Sequence, residues 1–259
     1  MKYYVGWDVG AWNCRKASES QDALAILAAD GDSLVLKGNL FRGPLRSEIA
    51  DIKSIEHLLN SHCNLSATCE DEFVIGIDTP LGLPEAVQWH VTLDRLPSTI
   101  EKRASHNPYL YRRTEQLLAD KNYPPLSAIK DMIGSQFTKG LHFLRKLQLE
   151  RLTNPVGVWK KDKITAIEVY PATCKASDTN GYSCKGSQVA QSLFSSIRGK
   201  GEHLRTDETD ALYCAIVAYL FAEKRHKLAP PPKDIPVSEG WIWHPVDSVG
   251  RTSKKKSKS

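Results

Sequence analysis

Apolar runs and the residues that stop them divide the chain into short strands, an early hairpin and a few helices. Residues 2–10 read as a first strand: Tyr3, Tyr4, Val5 and Trp7 suit a pleated, buried surface, and Gly6 and Gly10 permit close backbone approach. Residues 23–29 predict a second strand, Asp30-Gly31 a hairpin turn and residues 33–41 a third strand, together an antiparallel meander. Residues 45–59 carry Leu45, Ile49, Ile52, Ile55, Leu58 and Leu59 at helical spacing and predict one amphipathic helix. Residues 73–77 are almost wholly apolar, the pattern of a strand buried on both faces. Asp78 is the first charge after that run, and Pro80, Gly82 and Pro84 then forbid regular structure.

Residues 85–160 predict a long, mostly helical section, with its best helix at 141–147. Residues 164–171 form another strand pattern that contains Glu168 and stops at Pro171. A short helix is expected at 188–197. Residues 206–221 predict a helix with Thr206 as N-cap; after Asp210 it is apolar all round and so must be buried. Pro230, Pro231 and Pro232 mark the end of a domain spanning 1–228, and residues 229–245 read as a Pro-rich linker whose Trp241 and Trp243 add an edge strand or patch. Residues 246–259 are basic and poor in apolar groups, a disordered tail. No internal repeat is visible.

Composition is that of an ordinary soluble protein, 41% hydrophobic and 25% charged. No apolar run approaches the roughly 20 residues that span a bilayer, so no membrane association is expected. The N-terminal run meets Asp8 too early to be a signal peptide, which predicts a cytoplasmic protein. The six cysteines include no C-x-x-C pair, so reduced thiols are the expectation; Cys63 and Cys69, with His57 and His62, fit no common metal spacing and read as structural. Net charge is +5 but unevenly spread: residues 91–163 hold fourteen Lys/Arg against seven Asp/Glu, and the tail adds Arg251, Lys254, Lys255, Lys256 and Lys258. Within the basic section Arg95, Lys102, Arg103, Arg112, Arg113, Lys130 and Lys139 are interleaved with Tyr109, Tyr111 and Tyr123. That mixture suits phosphate contacts with base or sugar stacking, and equally suits a solvated basic face.

Four acids stand at element ends: Asp8 on the first strand, Asp78 on the fourth, and Asp207 and Asp210 three apart on the last large helix. Glu168 is a fifth. Each has an ordinary use, as a turn cap for Asp8 and Asp78 or in favour of the helix dipole for Asp207 and Asp210. Drawn together they would repel unless a cation joined them, and hard oxygen ligands select Mg²⁺ or Mn²⁺.

The order of these residues resembles the ribonuclease H-like superfamily, nearest to its Holliday-junction resolvase (RuvC-type) branch. More closely, Gly6-x-Asp8, Ile77-Asp78-x-Pro80-Leu81-Gly82-Leu83-Pro84, Glu168-x-x-Pro171 and Asp207-x-x-Asp210-Ala211 are similar to an uncharacterised family of RNase H-like nucleases, over roughly residues 1–225. The resemblance implies an α/β fold, with a ribonuclease H-like mixed five-stranded sheet flanked by helices, into which the helical basic section at about 85–160 is inserted. It implies a nuclease that hydrolyses DNA or RNA with two Mg²⁺ or Mn²⁺ ions. Asp8, Asp78 and Asp210 would be metal ligands, Asp207 a ligand or water-positioning acid, and Glu168 a ligand or supporting group. Of the inserted basic section, Arg103, Arg112, Arg113, Lys130 and Lys139 are, on their own pattern, the expected nucleic-acid contacts. Two departures stand out: the resolvase branch usually carries Glu where this chain has Asp78, and the basic section is an insertion. Two alternatives belong to other classes. One is an actin-like ATP-dependent phosphotransferase, for which Val9-Gly10-Ala11-Trp12 makes a poor phosphate loop. The other is a nucleic-acid-binding module without turnover.

Overall fold

The computed structural model describes residues 1–14, 20–31, 33–93, 95–179, 182–197, 203–250 and 252–253. Its order begins with strands β1 (Lys2–Asp8), β2 (Asp22–Asp30), β3 (Ser33–Leu36) and β4 (Phe41–Gly43), followed by helices α1 (Arg46–Ala50) and α2 (Ile55–Cys63) and strand β5 (Glu72–Asp78). Helices α3 (Glu85–Thr92), α4 (Arg113–Asp120) and α5 (Gly134–Lys146) come next, then strands β6 (Glu150–Arg151), β7 (Val158–Lys161) and β8 (Ile164–Val169). Strands β9 (Ser177–Thr179) and β10 (Tyr182–Cys184), helices α6 (Gln188–Ile197) and α7 (Thr206–Glu223), and strands β11 (Ile242–Trp243) and β12 (Thr252–Ser253) complete it. Among the described residues no helix is long and apolar enough to cross a membrane, and no disulfide joins any of the six cysteines.

The protein is α/β, and its main sheet is mixed and nine-stranded, wider than the expected five. Its path runs β3-β2-β1-β5-β8-β7-β6, with β4 alongside β2 and β11 alongside β8. β1 lies antiparallel to β2 and parallel to β5, and β5 lies parallel to β8. Strand parity decides what each residue faces. Tyr3, Val5 and Trp7, with Phe73, Ile75 and Ile77, pack on one face against α1, α2 and α5; Phe143 of α5 sits 5.0 Å from Trp7, ring centre to ring centre. Tyr4 and Val74 point to the other face, which α7 covers with Ala211, Leu212, Cys214, Ala215 and Ala218 buried.

The approach of α7 is set by two glycines. Gly6 and Gly76 are register neighbours on β1 and β5. A Cβ on Gly6 would lie 1.8 Å from the Ala211 carbonyl oxygen, and one on Gly76 would lie 2.4 Å from that of Cys214. The helix therefore rests on strand backbone, which no other residue type permits.

Several boundaries differ from the sequence expectation, each for a local reason. The third strand stops at Leu36, and Gly38 turns with a positive φ against the Cys63 carbonyl; the chain rejoins β2 further along as β4. The single helix expected at 45–59 is two, because Ser54 takes the N-cap of α2 and accepts from the His57 N–H. Thr206 is the first helical residue of α7 rather than its cap; Arg205 holds the cap position and donates its N–H to the Glu208 carboxylate. The section expected to be helical to residue 160 ends instead in the β6–β7 hairpin, which extends the sheet.

Residues 229–245 are no linker. Trp241 and Trp243 are buried in the α7-side core, and β11 adds to the sheet beside Glu168 and Val169. The Glu239 carboxylate accepts the backbone N–H of Glu85 at 2.8 Å and of Arg113 at 2.6 Å, so one side chain holds the first residues of α3 and α4. Of the tail, Val249 bridges to Gly186 and β12 pairs with β10. Arg251 and residues 254–259, expected to be disordered, lie outside the described residues.

Two predictions follow from this packing. Gly6→Ala is expected to destabilise the protein by about 3 kcal/mol or more, because the added methyl meets helix backbone rather than a side chain that can turn away. Urea unfolding of the variant checks this, and an unchanged midpoint would contradict the close approach. The second concerns His244, buried after β11, whose Nδ1 lies 3.0 Å from the Ile242 carbonyl oxygen and whose Nε2 has no partner among the described residues. Burial pulls its imidazole down to about 4. The unfolded chain therefore binds a proton near pH 6.5 that the folded chain refuses until about pH 4, so His244 costs stability as pH falls through that window. The cost reaches on the order of 3 kcal/mol. His244→Phe should flatten that acid limb relative to wild type in thermal melts from pH 7 to pH 4.

Candidate functional site

Asp8 and Asp78 end their strands at the same register position, side by side on the central parallel pair. Both share the parity of Gly6 and Gly76 and so fall on the α7 side. Among the described residues neither carboxylate has a hydrogen-bond or ion-pair partner. Both are held well above the ordinary carboxylate range. For Asp8 the causes are burial, then the charges of Asp78 and Asp210. For Asp78 they are burial and then Asp210, with Lys175 pulling the other way. Two such groups side by side are costly for a protein that does not use them.

They open into a cavity of about 190 Å³. Its wall also carries Thr79, Gln136 and Glu168, and an apolar rim that includes Leu126, Tyr170 and Ile242. Thr79 is only 4% exposed. Its Oγ1 and the Gln136 Oε1 are buried without a partner among the described residues. The Thr79 methyl is fixed by α5, because a Cβ on Gly140 would lie 2.6 Å from it. Two carboxylates, a hydroxyl and an amide carbonyl form an all-oxygen donor set, and that chemistry fits a hard divalent cation.

The other acids are placed differently. Asp207 accepts from Arg42 at 2.8 Å and from the Gln21 N–H at 3.2 Å, which ties α7 to β4 and to the start of β2. Asp210 is paired with Lys175 at 2.5 Å. Glu168 has the opposite parity from its neighbours Ile167 and Val169, which face α7. It turns to the α5 side, where both oxygens are taken by Arg112 and by the Leu81 N–H. Among the described residues no three His, Cys, Asp or Glu side chains converge as the ligands of one ion would. The structure thus brings Asp8 and Asp78 together, keeps Asp210 and Asp207 next to them on separate cations, and commits the Glu168 carboxylate to Arg112 and the Leu81 N–H.

Two of the five expected nucleic-acid contacts are corrected. Arg112 and Lys139 are completely buried. Arg112 bridges Glu115 and Glu168 and donates to the Glu239 carbonyl oxygen. Burial pushes the shared Glu115 carboxyl up to about 7 against the pull of Arg112. Lys139 pairs with Asp22, whose two oxygens also accept from Trp7, Gly10 and Leu45. Neither side chain can reach a phosphate. Arg103, Arg113 and Lys130 remain at the surface, beside Asp120, Asp234 and Asp131 respectively. The Gly10 N–H is committed to Asp22, which removes it from any phosphate loop.

Sequence reading missed Asp22, Thr79, Gln136, Arg42 and Lys175. Only Thr79 carried a signal, its place directly after Asp78. No family model, no curated protein and no solved structure matches the chain. Removing one of two facing charges should relieve the site: Asp78→Asn is expected to raise the melting temperature in metal-free buffer by about 2–4 °C, the equivalent of ~1 kcal/mol for a chain of this size. A lower melting temperature in scanning calorimetry would mean that the carboxylate is paired in the fold.

Proposed function

We propose that this chain is a divalent-metal-dependent nuclease that hydrolyses phosphodiester bonds of DNA or RNA, with its centre at Asp8 and Asp78. The observation that carries this reading is the pair of carboxylates, without partners among the described residues, at the ends of adjacent central strands, open to a cavity that also holds the unpartnered oxygens of Thr79 and Gln136. The strand path supports it: β3-β2-β1-β5-β8, with β2 antiparallel to β1 and the next strands parallel, is the order expected of a ribonuclease H-like fold. So do Asp207 and Asp210 at the start of α7, whose N-terminal dipole favours negative charge near the strand ends.

Bound Mg²⁺ or Mn²⁺ would polarise a phosphoryl oxygen and make a bound water more acidic. The chain's own residues would do the rest. Asp8 and Asp78 would hold the cation, which would attach the phosphate in a cavity whose wall, among the described residues, contributes no Lys or Arg. Thr79 and Gln136 fix the orientation of what lies between them. Arg42 and Arg112 keep Asp207 and Glu168 from moving into the cavity. Arg103, Arg113 and Lys130, with the tail lysines, would grip the backbone on either side.

The test is a cleavage screen in Mg²⁺ and in Mn²⁺ over labelled single-stranded, double-stranded, hybrid and branched substrates. Turnover should require the metal and fall at least ~100-fold in Asp8→Asn, in line with the loss of a group that acts on the transition state. Binding without turnover on every substrate would instead favour a non-catalytic module. The surface cations give a separate expectation. Arg113→Ala with Lys130→Ala, in a chain ending at Ser253, should make the log–log salt dependence of binding shallower by about one to two units. Substitution of the internal Arg112 should act on folding instead.

A further inference from the structure

The charges around the cavity can be paired off one by one. Asp22 has Lys139, Asp207 has Arg42, Asp210 has Lys175 and Glu168 has Arg112, which it shares with Glu115 outside the cavity wall. Among the described residues, only Asp8 and Asp78 are left over. Their combined charge is that of one divalent cation, not two.

Lys175 is the cation that decides this count. It follows β8 on a loop pinned at both sides: its N–H bonds to the Pro171 carbonyl oxygen, and its own carbonyl lies so close to Gly186 that a Cβ there would sit 2.4 Å away. The side chain is 29% exposed and ends 2.5 Å from Asp210 Oδ1. Asp210 is the acid that would have to join Asp8 and Asp78 for a second ion to be held. An ammonium seated on that carboxylate repels a dication there and satisfies the charge the dication would have neutralised. In the same cavity wall, on the side of α5, the buried Thr79 hydroxyl and Gln136 carbonyl oxygen have no partner among the described residues. The donor set is therefore lopsided: open oxygens on the Thr79–Gln136 side, and a fixed cation on the Asp210 side.

Resting on the reading that Asp8 and Asp78 bind a divalent cation, we propose that the site takes a single such ion, on the Thr79–Gln136 side, and that the Lys175 ammonium stands at Asp210 in place of a second. The two ions implied by the sequence resemblance become one ion and one built-in organic cation. Lys175 is then a positioning residue. It holds Asp210 away from the metal and leaves a fixed positive charge beside the scissile phosphate.

Binding of Mn²⁺ alone, followed by electron paramagnetic resonance of the free ion and by isothermal titration, tests this without any substrate. Wild type should bind one Mn²⁺ per chain. Lys175→Met should bind two, with affinity at the second position raised at least tenfold, and Lys175→Gln should do the same if the first variant folds poorly. Lys175→Arg, which keeps the charge, should still bind one. Thr79→Val should weaken the single wild-type site about threefold to tenfold while leaving the melting temperature of the metal-free protein nearly unchanged. Two ions in wild type, or one ion in both wild type and the Lys175 variants, would overturn the inference and leave the metal-centre reading standing. Full wild-type affinity in Thr79→Val would overturn the placement on that side. Absence of Mn²⁺ binding in wild type, with or without recovery in Lys175→Met, would overturn the metal-centre reading in this chain and the single-ion count with it.

Discussion

Everything in this structure depends on how closely one helix can lie on two strands. α7 has no polar face to give to solvent along most of its length, so it must be buried, and Gly6 and Gly76 let it settle on backbone rather than on side chains. That contact fixes the height of the helix above the sheet. Because its N-terminus overhangs the ends of β1 and β5, the same contact brings Asp207 and Asp210 to the edge of the space in front of Asp8 and Asp78. The acids are thus neighbours as a result of backbone packing, and their mutual repulsion is carried by the hydrophobic burial of the helix.

The second organising element is a set of cations turned inward. Arg112 and Lys139 are the largest charged groups in the interior, and each is surrounded by oxygen: Arg112 by Glu115, Glu168 and the Glu239 carbonyl, Lys139 by Asp22 and the Gly10 carbonyl. Buried pairs of this kind add little net stability against an apolar alternative, but losing one partner strands the other in a dry interior. Their effect here is to specify geometry. Lys139 ties α5 to the β1–β2 turn, and Arg112 ties α4 to β8 and to the C-terminal segment.

Much of the scaffold was legible in the sequence because it rests on local pattern. The apolar runs around Val5 and Ile75, the Asp30-Gly31 turn and the all-apolar course of α7 each have a period or a stop that needs no knowledge of the partner. What was not legible depends on partners. Arg112 and Lys139 read as surface cations because a buried guanidinium or ammonium is betrayed only by the carboxylate it meets, and those meetings span 56 and 117 positions along the chain. Glu168 read as a possible ligand because its strand parity relative to Asp78 cannot be known before the register is known. Thr79 sat in view beside Asp78, yet a hydroxyl acquires meaning only when nothing in the fold bonds to it. The helix expected near residue 150 failed because two short strands, each of 2–4 residues, carry too little pattern to compete with the helical run before them.

The double grip of Glu239 has a consequence for how the chain is made. One late carboxylate holds the first residues of α3 and α4, its carbonyl oxygen lies against Gly82 in the turn that follows Asp78, and Ile242 just beyond it supplies part of the cavity wall. During vectorial synthesis Asp8 and Asp78 emerge well before Glu239 and Ile242, which close the space around them. The nascent protein can form its central strands and still present only a splayed, solvent-filled pair of aspartates. A chain organised in this way withholds its finished cavity until Glu239 and Ile242 have been made, well after both aspartates.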